Sequence, residues 1–287
     1  MNPKVSICIP AYGQPEKIER ALKSVFEQTF EDFEVIITDD TPDESVFNIV
    51  KNFDDKKIKY YKNQERKGSP ENWNVCLEHV RGEYIKFLHH DDWFFNKDSL
   101  SGFIKMLDNN HNVDIAFCAS ANYNADETIK YIYYPPAVKL NKLRKNYLFL
   151  FSGNIIGAPS ATIYRSRVSQ KFDRNLKWLV DIDFYLRILS ENHEFVSNKD
   201  PLISIETGSE KQVTHLCQDN KCVELFEYIY MYSKYRQTMK FAQTRFLCHL
   251  LCLYGIKSKK EIKALGVDLP KNIFFDLTIF LNKYLFK

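Results

Sequence analysis

The feature that most constrains the fold is an ordered alternation of short apolar runs and amphipathic stretches through the first 120 residues. VSICIP (5–10), FEVIIT (33–38), IKYYKN (58–63), EYIKFLHH (83–90) and VDIAFCA (113–119) are each strand-length apolar runs bounded by turn residues. Between the first two, residues 15–28 place Ile18, Ala21, Leu22, Val25 and Phe26 at helical spacing. Residues 43–53 carry acids in a first helical turn, and 96–107 read as a further helix. Ser69-Pro70 has the form of an N-cap followed by Pro at the first helical position, opening a helix to Val80. Such alternation predicts an α/β fold, a mostly parallel sheet with right-handed crossovers and helices on its faces. Ligands of such sheets bind beyond the carboxyl ends of the strands. Four features fall at such ends: Pro10-Ala11-Tyr12, Asp39-Asp40, the loop at Gly68, and Asp91-Asp92.

The rest of the chain is less regular. Residues 120–145 are polar and Tyr-rich, an expected excursion near the site, and GNIIGAPSATIY (153–164) reads as loop then strand. Residues 181–191 form a helix, and from 216 onward the chain is helical with a break near 255–259. The expected division is therefore 1–205, with halves 1–120 and 121–205, and a helical region 206–287. Apolar residues make up 45% and charged residues 27%, enough for a sizeable core. A net charge of only +3 argues against a dedicated nucleic-acid binder. Seven cysteines, an odd number without a CxxC pair, read as buried reduced thiols and imply a reducing compartment. Neither a signal peptide nor a run of 18 apolar residues is seen, so a cytoplasmic location is expected.

Three acidic pairs carry candidate chemistry. Asp91-Asp92 follows a hydrophobic strand, where adjacent carboxylates suit either a hard divalent cation or a helix N-cap at Asp92. Asp39-Asp40 could accept from a nucleobase or ribose, or simply make the Asp-Asp-Thr-Pro turn. Asp181 and Asp183, in WLVDIDFYLRIL, could supply a general base or favour the dipole of their helix.

Taken together, these motifs resemble glycosyltransferase family 2, of the GT-A fold and the bacterial surface-polysaccharide type. IPAYGQPEKIERALKSVFEQTFEDFEVIITDDTPDES resembles the family's opening, and ERKGSPENWNVCLEHVRGEYIKFLHHDDW its next block. WLVDIDFYLRIL resembles the acidic motif before the acceptor-facing helix, so the likeness covers roughly residues 4–190. It implies an inverting transferase of the hexosyl type, moving a sugar from a nucleoside diphosphate sugar, UDP or dTDP by family habit, to a glycan or lipid-linked glycan hydroxyl. Pro10, Ala11 and Tyr12 would line the nucleobase pocket, Asp39 would contact the base, and Asp40 would support it or the ribose. Gly68 and Asn72 would border the nucleotide. Asp91 would lie toward the ribose and the cation, and Asp92 would bind Mn²⁺ or Mg²⁺ directly. Asp181 matches the catalytic base, with Asp183 as the alternative. Gly157 and Pro159 would shape the floor under the acceptor, and Trp178 a sugar platform or a piece of core.

The sequence departs from the family at three places. His90 precedes the acidic pair where an Asp is usual, Val180 replaces the usual Glu, and no His precedes QVT, leaving His215 as a substitute or a surface residue. The tail KNIFFDLTIFLNKYLFK sets Asn272, Asp276, Lys283 and Lys287 on one stripe among apolar residues. Residues 271–287 thus suit a membrane interface, packing on the catalytic unit, or a homodimer contact. Competing readings are a catalytically silent nucleotide-sugar or glycan-binding module of the same fold and a nucleotidyltransferase. The latter wants a Gly-rich basic loop that AYGQPEK does not provide.

Overall fold

The computed structural model describes residues 2–53, 56–124, 126, 128–168, 170–207, 217 and 220–285. His215 and Lys287 lie outside the described residues. A single sheet organises the chain. Its parallel half is β1 (Val5–Ala11), β2 (Phe33–Asp39), β3 (Ile58–Lys62) and β4 (Tyr84–Phe87), in the order β3-β2-β1-β4. Every residue of β1 and β2 is buried, because helices cover both faces. Side chains alternate between those faces: Ile7 and Ile9 join one apolar cluster, and Cys8 joins the other.

Beyond β4 the sheet becomes mixed. A short strand that closes the 153–164 loop, β8 (Thr162–Arg165), runs antiparallel between β4 and β6 (Ile115–Tyr123). The long strand β9 (Phe195–Glu206) is parallel to β6, while β7 (Ile129–Tyr133) makes a hairpin with β6. The short strand β5 (Asp92–Phe94) pairs antiparallel with the far end of β9, Asp92 opposite Ile205. Asp92 is therefore no helix cap. The helix that follows, α4 (Ser99–Asp108), begins seven residues later, at a turn where the Asn96 side chain accepts from the Asp98 N–H.

Helices α1 (Pro15–Phe26), α2 (Ser45–Val50) and α3 (Glu71–Glu78) fill the crossovers. Buried Ile18, Ala21, Leu22 and Val25 of α1 follow the spacing read from the sequence. Helix α3 opens one residue later than that reading, with Pro70 at the cap. The tight entry to β4 requires Gly82, where a Cβ would stand 2.5 Å from the Ser6 backbone nitrogen. Helices α5 (Ala137–Lys145) and α6 (Val180–Glu191) follow, then α7 (Lys221–Lys234), α8 (Phe241–Leu253), α9 (Lys259–Lys263) and α10 (Ile273–Leu285). These last four are not appended loosely. Leu225, Ile229, Leu247, Leu251, Phe275 and Ile279 share one apolar cluster with Phe87 of β4 and Phe184 of α6.

All seven cysteines are free, but they are not uniformly interior: Cys222 is exposed and Cys248 and Cys252 are half-buried. Helix α10 packs on the catalytic unit through one face. It buries Phe275, Ile279 and Asn282, and exposes Ile273, Phe274, Leu277, Phe280 and Leu281. Asp276, on its expected polar stripe, is paired with Lys259 at 2.5 Å.

Candidate active site

The carboxyl ends of β1, β2 and β4 and the loop after β3 meet at one edge. Asp40 orders that loop: its carboxylate accepts from Asn63 Nδ2 (2.7 Å) and from the N–H groups of Lys67 (3.0 Å) and Gly68 (2.7 Å). Gly68 sits at φ +72, the left-handed region, so the turn presenting its N–H favours glycine. Buried Asn72 ties the strand ends together, donating to the carbonyls of Ala11 (3.2 Å) and Thr38 (3.0 Å). Asp39 is fully buried and accepts from Thr41 N–H (2.8 Å), Tyr60 Oη (2.6 Å) and Lys62 Nζ (3.0 Å). Tyr12 is 42% exposed, with the Arg66 guanidinium 4.1 Å from its ring centre. Pro10 and Ala11 end β1 beside it.

The acidic corner lies between β4 and β5. Ligand-capable atoms of His89, Asp91 and Asp92 stand within 4.8 Å of one another. His89 takes the place that the sequence suggested for His90, whose Nε2 instead lies 3.2 Å from Gln14 Nε2. Asp92 is 4% exposed, and desolvation together with the neighbouring Asp91 charge pushes its carboxyl well above the ordinary range. Burial likewise pushes the His89 imidazole down to about 4, so it is neutral at pH 7. Two crowded carboxylates and a neutral imidazole form a donor set suited to a divalent cation. Here the residues fit the ion that the sequence resemblance implies.

Three groups absent from the sequence-based site brace this corner. Lys86 is fully buried, its Nζ donating to the carbonyls of Phe87 and Ser160, and desolvation lowers its pKa to about 7. The Ser160 hydroxyl accepts from His89 N–H (2.9 Å) and bonds to Asp92. From the other side, Arg20 Nη2 donates to the Asp91 carbonyl (3.1 Å) and to Glu206 (2.7 Å), its guanidinium lying 3.8 Å from the Trp93 ring centre.

Asp181 lies in the first turn of α6, half-buried. Its Oδ2 accepts from Asn154 Nδ2 (2.6 Å) and its Oδ1 from Ile182 N–H (2.8 Å). Its pKa is raised to about 6, chiefly by desolvation with a smaller push from the Glu227 charge, and these two bonds oppose the rise. Asn154 also shapes its own loop, donating to the Gly157 carbonyl and accepting from the N–H groups of Ile156 and Gly157. Gly157 is at φ +107 and Pro159 opens the turn before β8. Residues 154–160 therefore hold Asp181 at one end and the Asp92 corner at the other.

Asp183 has a different environment. Fully buried, it accepts from Arg187 Nε (3.0 Å), Lys234 Nζ (2.7 Å) and Tyr235 Oη (2.7 Å). Trp178 is half-buried, edge-on to Tyr228. The N–H groups of Lys177, Trp178 and Leu179 all donate to Glu227 of α7 at 2.7–3.2 Å. Neither Asn154 nor Glu227 had a distinguishing sequence signal beyond its residue type. Outside this site, an open groove of about 670 Å³ runs between α1 and β5, lined by Lys17, Arg20, Trp93 and Glu206 among others. It contains neither Asp92 nor Asp181, and the convergent acidic groups lie elsewhere.

The architecture is the GT-A fold. It matches the crystal structure of TarS 1–349 of S. aureus in complex with UDP-GlcNAc at TM-score 0.65 and 19% identity, covering 96% of this chain and 79% of that one. It also matches the mannosyltransferase PcManGT of Pyrobaculum calidifontis, in complex with GDP-Man and Mn²⁺, at TM-score 0.60 and 16% identity, covering 100% and 86%. The family model for glycosyl transferase family 2 matches residues 6–172, and the chain belongs to that family. A Mycobacterium tuberculosis protein described as uncharacterised is 30% identical over 204 residues, 66% of this chain and 62% of its own length. An undecaprenyl-diphosphate-linked-GlcNAc β-1,3-glucosyltransferase of Escherichia coli is 30% identical over 143 residues, 50% of this chain and 55% of its own.

Proposed function

We propose that the chain is an inverting glycosyltransferase that moves a sugar from a nucleoside diphosphate sugar, UDP- or dTDP-linked, to a hydroxyl of a lipid-linked glycan. The observation that carries this reading is the 154–160 segment, which braces a desolvated lone carboxylate and the acidic corner from opposite ends. Residues 1–120 form the donor half and 121–205 the acceptor half. Pro10, Ala11 and Tyr12 bound the base, with Asp39, Asp40, Gly68 and Asn72 fixing the loop that borders it. Asp92, with Asp91, would hold Mn²⁺ or Mg²⁺, which when bound neutralises charge gathering on the departing diphosphate.

Asp181 is the general base. Its carboxylate takes the proton of the acceptor hydroxyl as that oxygen bonds to the anomeric carbon and the bond to the diphosphate oxygen breaks. A single displacement inverts the centre. A carboxyl near 6 is ionised at neutral pH yet basic enough for this transfer. Asp183 is already engaged by three donors and serves packing. Trp178, Gly157 and Pro159 face the acceptor side.

The exposed apolar face of α10, with exposed Lys271 and Lys283 at its ends, rests on the inner face of the cytoplasmic membrane, where lipid-linked acceptors lie. No helix among the described residues is long and apolar enough to cross a membrane. The E. coli relative, which by its name acts on a diphosphoundecaprenol-linked sugar, supports this choice of acceptor.

The test is a thermal-shift panel of nucleotide sugars with and without Mn²⁺, followed by transfer with the stabilising donor. Asp181→Asn should keep donor binding and lose turnover. Transfer at the native rate by that variant would refute the assignment.

A further inference from the structure

We infer that His89 supplies an imidazole nitrogen to the cation shell at the Asp91–Asp92 corner, and that the site thereby selects Mn²⁺ over Mg²⁺. This rests on the cation reading above and goes one step further. A ring nitrogen of His89 and the two carboxylates stand within 4.8 Å of one another. Ligands of one small divalent cation, bonded at about 2.0–2.2 Å, are at most roughly 4.4 Å apart, so a slight contraction closes the set.

A second observation points the same way. His89 Nε2 is shielded from solvent and has no hydrogen-bond partner among the described residues. Buried polar atoms are nearly always paired, and one left unpaired on this histidine calls for an explanation. The neighbouring histidine offers a contrast, since His90 is engaged by Gln14. His89 is also held in place, with its N–H on Ser160 and its ring 4.7 Å from that of Trp73.

The chemistry of selection follows. Mg²⁺ is hard, prefers an all-oxygen octahedron and keeps its waters. First-row transition ions accept imidazole more readily, and Mn²⁺ is the one that still suits two carboxylates and phosphate oxygens.

The test uses the full chain with Mn²⁺ and inorganic pyrophosphate, read by pulsed electron paramagnetic resonance. The native protein should show ¹⁴N coupling to Mn²⁺. His89→Asp should abolish it and lower the Mn²⁺/Mg²⁺ affinity ratio by about tenfold or more, while His90→Asn should leave both unchanged. A bound Mn²⁺ without nitrogen coupling in the native protein overturns the inference and leaves the cation reading standing. Coupling that survives in His89→Asp overturns it equally. Failure of Mn²⁺ to bind in the presence of pyrophosphate removes both. The native spectrum decides even if the variants do not fold.

Discussion

Replacing Glu227 by Ala removes a carboxylate through which the C-terminal helices hold the entry to α6, the helix of the proposed base. Glu227 is 1% exposed, and its oxygens accept from three consecutive N–H groups, those of Lys177, Trp178 and Leu179. These lie just before the first turn of α6, where a negative charge also favours the helix dipole. Lys177 is exposed and Trp178 half-buried, so water can replace those two bonds, but Leu179 is buried and its N–H is orphaned. One orphaned donor costs about 1–3 kcal/mol, and the two charge-assisted bonds exchanged for water add about 1 kcal/mol. The expected loss is about 3 kcal/mol, or a fall in Tm of roughly 6–12 °C for a chain of this size. Differential scanning calorimetry measures it. A kinetic consequence separates this role from plain stability. The Glu227 charge raises the Asp181 pKa, so Glu227→Gln, which keeps one acceptor oxygen, should move the acidic limb of kcat below about pH 6. An Ala variant melting within about 1 °C of the native protein, with an unmoved pH profile in the Gln variant, would refute the reasoning.

Five further outcomes are expected. In the native enzyme, turnover should fall about tenfold per pH unit below pH 6, because a base must be ionised to accept a proton; a flat profile to pH 5 excludes Asp181. The same raised pKa has a stability consequence. The folded state holds this proton more tightly than the unfolded chain, so Asp181 destabilises the fold as pH rises through about 6. Asp181→Asn should therefore melt at or above the native Tm at pH 7.5. Asn154→Ala should lower kcat by about 10–100-fold with little change in donor KM and move the acidic limb upward, since the lost bond favours the ionised carboxylate. Asp183→Asn should cost about 3–5 kcal/mol by leaving Arg187 and Lys234 without their buried anion, yet the folded fraction should turn over normally. Leu277→Ser with Phe280→Ser, both on the exposed face of α10, should leave Tm unchanged and reduce sedimentation with anionic vesicles several-fold. Equal sedimentation would place that face against protein.

The parallel half of the fold was legible because each strand is an apolar run of the right length and each crossover repeats at helical spacing. Val5–Ala11 and Ile18–Val25 need no distant partner to be recognised. The acidic pairs were visible for the same local reason, as polar residues ending apolar strands. Tertiary pairing decided what those residues became. Asp92 could cap a helix or face a cation until its pairing with Ile205, more than a hundred residues away, put it in a strand. Asp181 and Asp183 are indistinguishable by type and nearly so by position. They differ because Asn154 reaches one while Lys234 and Tyr235 surround the other. His89 rather than His90 joins the acidic corner because Ser160 anchors its backbone, a contact spanning 71 residues. Periodicity and turn chemistry are written over neighbours in sequence. Burial, pKa and the filling of hydrogen-bond valences depend on which distant segments pack together, and that is where this site was settled.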